Sequence, residues 1–213
     1  YKGFWAGVGL RTDLSGVTEI TENGIKYTVD YINGQKTGFF LDQKYNRQAI
    51  RRIAEGRTVL DCFTHTGSFA LKAGAKSVTA VDISADAIEM TRRNAEQNGF
   101  TNVEFRQADV FDLLTELYRA GGHPYDFIIL DPPAFTKSSS TVRAAERGYK
   151  EINLKAMRLL PRGGYLATCS CSHFMTETLF RHMLHDAAAD AGVSLRQIEA
   201  RRQAPDHPIL WNV

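Results

Sequence analysis

Between residues 58 and 191 the chain repeats one pattern: a short apolar-rich run, then a longer stretch in which apolar side chains return every three or four residues. The short runs, with one more beyond residue 191, predict strands at Thr58–Cys62, Ser77–Val81, Val103–Gln107, Phe127–Leu130, Gly164–Cys169 and Ser194–Ala200. The longer stretches predict helices at about 67–74, 85–98, 109–119, 141–160 and 175–191. Strands alternating with helices of this length imply an α/β fold with a doubly wound, mostly parallel sheet and right-handed crossovers. Asn98-Gly99 ends one helix as a C-cap does.

Upstream of residue 41 the period is shorter. Residues 1–40 read as turn-rich β structure, with strands at Val17–Ile20 and Ile25–Tyr31 around Glu22-Asn23-Gly24, the second ended by Asn33-Gly34. Asn-Gly in such a position is a strong hairpin signal, so a small N-terminal β-hairpin region is expected. Near Asp42 the period becomes helical: Ala49, Ile50 and Ile53 share one face, with Arg47, Arg51 and Arg52 elsewhere. At the far end, Ala204-Pro205-Asp206-His207-Pro208 makes a turn, and a seventh strand returning antiparallel to the sixth has only a stub before Val213.

A length of 213 residues, with 43% hydrophobic and 23% charged positions, suits one α/β domain with a substantial core. A formal net charge of +2 does not argue for nucleic acid, and the arginine pairs at 51–52, 92–93 and 201–202 read first as solvated helix faces. Cys62, Cys169 and Cys171 make no disulfide framework and fit reduced thiols at strand ends. Cys169-Ser170-Cys171 lacks the spacing and second ligand pair of a zinc site, so no metal is expected. No apolar run reaches membrane length and the start is not a signal peptide. Without an initiator Met, residues are expected upstream of Tyr1, and the whole reads as a piece of a cytoplasmic enzyme with no membrane partner.

Three strand ends carry acids. Asp61 closes the first strand, ahead of the loop Cys62-Phe63-Thr64-His65-Thr66-Gly67. A single glycine there is not the GxGxxG of dinucleotide binders, so no pyrophosphate cradle of that kind is present. Asp82, followed by Ile83, ends the second strand, where a carboxylate can accept hydrogen bonds from ribose hydroxyls. Asp109, followed by Val110, ends the third, within reach of an adenine amino group. Each acid taken alone is also a natural helix N-cap. Three in succession with Gly67 point to a nucleoside cofactor without phosphates, and S-adenosylmethionine fits, its sulfonium placed among carboxylates.

Two further motifs sit at strand ends: Asp131-Pro132-Pro133-Ala134-Phe135 after Phe127–Leu130, and Ser170-Cys171-Ser172 after the run ending at Thr168. If the two strands are parallel neighbours, a thiol and a carboxyl emerge over one binding crevice, because ligands of open α/β sheets bind beyond the carboxyl ends of the strands.

In these residues the chain resembles the class I S-adenosylmethionine-dependent methyltransferases, and more narrowly the bacterial family that forms 5-methylcytosine in large-subunit ribosomal RNA. The resemblance runs from about residue 20 to the end. It is carried by Gly38-Phe39-Phe40-Leu41-Asp42-Gln43 with Asn46-Arg47, Leu60-Asp61-Cys62-Phe63 with Thr66-Gly67, and Asp131-Pro132-Pro133. It continues in Arg147-Gly148-Tyr149-Lys150-Glu151-Ile152-Asn153, Ser170-Cys171-Ser172 and Asp206-His207-Pro208. It implies a Rossmann-like fold and an RNA partner. Full-length members carry an N-terminal PUA domain and a seventh strand. Residues 1–40 are therefore expected to be the remnant of a link to a missing PUA domain, and 41–213 a methyltransferase domain cut before its last strand.

The same resemblance implies roles. Cys171 is the expected nucleophile toward cytosine carbon 6, and Asp131 supports the N3 edge of the base. Pro132 and Pro133 stiffen the slot and Phe135 stacks on a flipped base. The cofactor set is Asp61, Phe63, Thr66, Gly67, Asp82, Ile83, Asp109, Val110 and Asp131, with Arg47 on a methionine carboxylate or an RNA phosphate. Phe39 and Phe63 are read as walls of the adenosine pocket, Cys62 and Cys169 as packing residues. Lys150 and Asn153 share a helix face open to RNA or the site floor. His207 is a candidate proton acceptor on the substrate side. Two other readings stay open: a methyltransferase acting on an exocyclic amine or guanine N7, which needs no thiol, and a non-catalytic RNA-binding domain of the same fold.

Overall fold

A computed structural model describes residues 16–34, 38–136 and 138–209. The first fifteen residues and the last four, including most of the expected seventh-strand stub, lie outside the described residues.

The hairpin forms as its turn chemistry requires. Strands β1 (Val17–Glu22) and β2 (Ile25–Asp30) pair antiparallel with Glu22 opposite Ile25, and Asn23 and Gly24 take φ of +53° and +82° between them. Along β2 the side chains of Ile25, Tyr27 and Val29 alternate into a core with Phe39, Leu71 and Ala95. The outer edge of β2 is closed by side chains of a helix rather than by a third strand. Asn98 bonds both backbone groups of Lys26, and Asn94 accepts from the Thr28 amide at 2.9 Å.

The main sheet is parallel throughout, in the order β5-β4-β3-β6-β7, with strands β3 (Thr58–Cys62), β4 (Ser77–Asp82), β5 (Val103–Gln107), β6 (Phe127–Leu130) and β7 (Tyr165–Thr168). The helices are α1 (Lys44–Ala54), α2 (Ser68–Lys72), α3 (Ala85–Gln97), α4 (Val110–Ala120), α5 (Val142–Leu159) and α6 (Glu177–Ala191). Parallel strands buried on both faces read as continuous apolar runs. On β6, Phe127 and Ile129 enter the core beneath α1 and α2, while Ile128 and Leu130 enter the one shared with α4 and α5. Strand order reverses between β3 and β6, so the crevice beyond the carboxyl ends of these two strands is where a ligand belongs.

Contrary to expectation, Ser194–Ala200 is not a strand. The segment is irregular and exposed, with Ile198 65% accessible. Among the described residues nothing pairs with the outer edge of β7. A strand has no hydrogen bonds of its own to fall back on, so a segment without a neighbour stays irregular.

Candidate active site

The first wall is the loop between β3 and α2, which turns through three left-handed residues, Phe63, His65 and Gly67, with φ of +64°, +53° and +77°. Two of these are not glycine, a cost that persists only where the surroundings hold it. They do so here. The Thr64 amide bonds Val81 O, the His65 amide bonds Asp82 Oδ2 at 3.0 Å, and α3 reaches over with Thr91 to His65 O and Asn94 to Thr66 O. Asn94 therefore ties β2 to this loop. A Cβ on Gly67 would lie 2.6 Å from Thr91 Cγ2.

Asp61 is buried beneath the loop. Its Oδ2 accepts from Thr64 Oγ1 at 2.7 Å and from the Ala70 amide at 3.0 Å, while Oδ1 has no partner, and neither has the buried Thr66 Oγ1. Burial pushes the Asp61 carboxyl up to about 7; the Thr64 and Ala70 hydrogen bonds oppose this, and the negative charges of Asp131 and Asp82 add to it. A buried carboxyl oxygen and a hydroxyl left open at the switch point are what a ligand with an amino or sulfonium group would satisfy. Asp82 is no helix cap: its oxygens take the His65 and Ser84 amides, and Ser84 caps α3. Ile83 beside it is 64% exposed, an apolar surface at the crevice rim. Asp109 does cap α4, accepting from Phe111 and Asp112 through Oδ1. Val110 next to it is buried.

The second wall is made by two loops that the sheet register brings together. Leu130 pairs with Thr168, and the Cys169 amide continues the ladder to Leu130 O, so Asp131 and Cys169 emerge side by side. Burial, with the Asp131 charge beside it, pushes the Cys169 thiol well up. Burial pushes the Asp131 carboxyl up to about 6, against the pull of the Arg47 charge and this thiol and with the push of Asp42. Two residues past Cys169, the exposed Cys171 donates from Sγ to the carbonyl of Pro132, the residue after Asp131, across 3.7 Å. Ser172 Oγ donates to Thr136 O at 3.0 Å, and Ser170 Oγ donates to the Tyr149 hydroxyl at 3.2 Å. The Ser-Cys-Ser turn is thus pinned at three consecutive residues. Phe135 lies half-buried between Tyr149 and Phe111, with ring centroids 4.6 and 5.9 Å away.

His207 stands on the wall of the same open trough. Its Nδ1 is 3.1 Å from Asp206 Oδ1, and Asp206 is held by Lys44. The Ala204 amide bonds Asp42 O, anchoring this turn beside the start of α1.

Two expected ligands are employed elsewhere. Arg47 is 1% exposed, its fork closed on both oxygens of Glu22 at 2.6 and 2.8 Å, with further bonds to Phe40 O and Ser68 Oγ. Of its five donors one N–H remains, so it acts as a tie between hairpin, α1 and the first loop rather than as an open carboxylate or phosphate clamp. Lys150 points to Asp190 on α6 at 2.7 Å, away from the crevice. Asn153, expected on the same open face, is fully buried, with Nδ2 on Tyr149 O. Two residues beside the site have no role assigned from the sequence: His65, whose ring meets Phe40 edge-on and whose imidazole is pushed down by burial, and Tyr149. Tyr149 stands one turn of α5 from the buried Ala145 and Ile152, so its periodicity reads as core.

Among the described residues no group of three or more His, Cys, Asp or Glu side chains is placed to hold a metal, and no helix is long and apolar enough to cross a membrane.

A profile of the S-adenosylmethionine-dependent methyltransferases matches residues 7–211. The chain is 50% identical over 195 residues to ribosomal RNA large subunit methyltransferase I of Aeromonas salmonicida, covering 89% of this chain and 49% of that protein. It is 46% identical over 196 residues to the protein of the same name in Klebsiella pneumoniae strain 342, with 90% and 49% covered. The chain spans about half the length of the curated relatives it matches. Among solved structures, SMU.776 in complex with SAH superposes with a TM-score of 0.79 at 25% identity, over 94% of this chain and 53% of that one. Trm5b from Pyrococcus abyssi shares the fold, with a TM-score of 0.61 at 21% identity over 83% and 48%.

Proposed function

The chain belongs to the family of S-adenosylmethionine-dependent methyltransferases, and from that membership we propose that it methylates carbon 5 of a cytosine in large-subunit ribosomal RNA through a covalent Cys171 adduct. The observation that carries this reading is the approach of the Cys171 thiol to the Pro132 carbonyl, one residue from Asp131. The ribosomal RNA in the names of the relatives supports the choice of substrate.

The cofactor would lie against the first wall. Asp61 and Thr66 offer their open oxygens, Asp82 the ribose acceptor, and Asp109 with Val110, Ile83 and Phe63 an adenine slot, while Gly67 keeps the backbone close. When bound, it supplies an electrophilic methyl group on a sulfonium, the group that carbon 5 accepts.

The protein's own groups prepare carbon 5 for that transfer. The Cys171 thiolate adds to carbon 6 of a base flipped into the slot. The ring's electrons then move to N3, where Asp131 donates a proton, its raised carboxyl keeping a protonated fraction near neutrality. Carbon 5 becomes enamine-like. After transfer, its proton leaves to His207, whose Nδ1 on Asp206 leaves Nε2 free to accept. The freed pair rebuilds the ring double bond and expels the Cys171 thiolate, and N3 hands its proton back to Asp131, which leaves neutral 5-methylcytosine. Pro133, exposed beside buried Pro132, offers a rigid rim without an N–H donor.

The test is nucleoside analysis of ribosomal RNA methylated by the protein in its full natural length. Wild type should yield 5-methylcytosine and Cys171→Ala none. Methyl transfer that survives in Cys171→Ala would mean attack by a nitrogen lone pair, which needs no thiol.

A further inference from the structure

Tyr149 touches both loops of the second wall. Its hydroxyl accepts from Ser170 Oγ at 3.2 Å, and its ring lies 4.6 Å from that of Phe135. The side chain is fully buried. On its far side the ring of Phe180, on α6, meets it edge-on at 5.9 Å. The neighbouring Gly148 lets Phe135 lie this close to α5, since a Cβ there would come within 3.3 Å of Phe135 Cδ2. Ser170 in turn accepts from the Ser172 amide at 3.3 Å through the same Oγ that donates to the phenol. The chain of contacts therefore runs from the middle of α5, through Ser170, around the turn that carries Cys171. Burial pushes the Tyr149 hydroxyl up, with the hydrogen bonds from Ser170 and the Phe135 backbone opposing, so the phenol stays neutral at working pH and keeps its place as a hydrogen-bond partner.

We infer that Tyr149 is a positioning residue: through Ser170 it fixes the Ser-Cys-Ser turn so that the Cys171 thiol is held against the Asp131-Pro132-Pro133 loop. The role in turnover rests on the proposed thiol chemistry, but the positioning itself does not. The hydroxyl does what the ring alone cannot. Ring packing would keep α5 and Phe135 together, yet only a polar atom at this depth specifies where Ser170 sits, because a buried hydroxyl left unpaired is costly.

Tyr149→Phe keeps the ring and removes the bond; Ser170→Ala removes it from the other side. Two readouts are taken in the full-length protein. The first is the rate of iodoacetamide labelling at Cys171, followed by mass spectrometry, with the fully buried Cys62 as an internal control. The second is kcat and KM for methyl transfer to ribosomal RNA. One ordinary hydrogen bond corresponds to roughly 3–10-fold. Each variant should label faster at Cys171 by about that factor, leave Cys62 protected, and lower kcat by a similar factor with KM for the cofactor unchanged. Ser170→Ala also removes the acceptor of the Ser172 amide, so the double variant should fall short of the product of the two single effects, because the contact they share is lost only once. Cys171 labelling within twofold of wild type, Cys62 labelling that rises in parallel, or single effects that multiply would overturn the inference. If no cytosine is methylated at all, the labelling arm still decides the positioning claim, and the failure falls on the proposed reaction.

Discussion

The thiol of Cys171 and the carbonyl of Pro132 face each other across 3.7 Å, although 38 residues separate them in the chain. The parallel register of β6 and β7 delivers the contact: once Leu130 is opposite Thr168, Asp131 and Cys169 start together, and the next residues out meet over the crevice. A thiol and a carboxyl are thereby set on one wall of the crevice that opens beyond the ends of β3 and β6.

Asp61 makes stability depend on pH in a defined direction. Its carboxyl rises from an ordinary 3.8 to about 7 on folding, so between these values the native state holds a proton that the unfolded chain has released. Stability must fall as pH rises through that window. The melting temperature of the ligand-free protein should therefore decline from about pH 4 to about pH 7. Asp61→Asn should make the decline shallower, leaving the part below about pH 6 that Asp131 contributes, and weaken binding of S-adenosylmethionine by calorimetry. An equally steep decline in Asp61→Asn would remove Asp61 as the source.

Gly67 should tolerate no side chain. Its φ of +77° is strained for any other residue, and a Cβ would strike Thr91 Cγ2. Gly67→Ala should cost about 1–3 kcal/mol in urea unfolding and reduce cofactor affinity. Adding Thr91→Ser, which deletes the methyl but keeps the hydroxyl on His65 O, should restore part of the loss but not all, because the backbone strain stays.

The Glu22–Arg47 pair joins the hairpin to the site. Glu22→Ala leaves a buried guanidinium without its carboxylate, a change worth about 3–5 kcal/mol at such sites. Urea denaturation should show a loss of that order. A loss below about 1 kcal/mol would mean that water reaches Arg47 once Glu22 is gone.

The extent to which the chain announces all this follows from what each pattern encodes. Phe127–Leu130 is legible as a buried parallel strand because both faces are apolar, and the place of Asp131 at the carboxyl edge of the sheet because it follows that strand. Asn23-Gly24 specified its hairpin through the backbone geometry it permits. Ser194–Ala200 has apolar residues only at Leu195, Ile198 and Ala200, which neither alternate nor say whether a neighbour exists to bond a strand. Helical spacing put Lys150 and Asn153 near one another, yet the charge of Asp190 across the α5–α6 contact decides where Lys150 goes. Arg47 was legible as a special arginine, but not its partner, because Glu22 lies on another element 25 residues away. Tyr149 was hidden for a similar reason: its spacing is that of a core residue, and its polar bond depends on a register no local pattern states.

The most direct measurement of the central claim is covalent trapping. Ribosomal RNA containing 5-fluorocytosine, incubated with the full-length protein and S-adenosylmethionine, cannot lose a proton from carbon 5, so the thiol adduct should persist. Mass spectrometry of the digested complex should place the modified base on Cys171, with no adduct in Cys171→Ala. A complex that turns over normal RNA to methylated product yet leaves Cys171 unmodified on the fluorinated substrate would contradict the account.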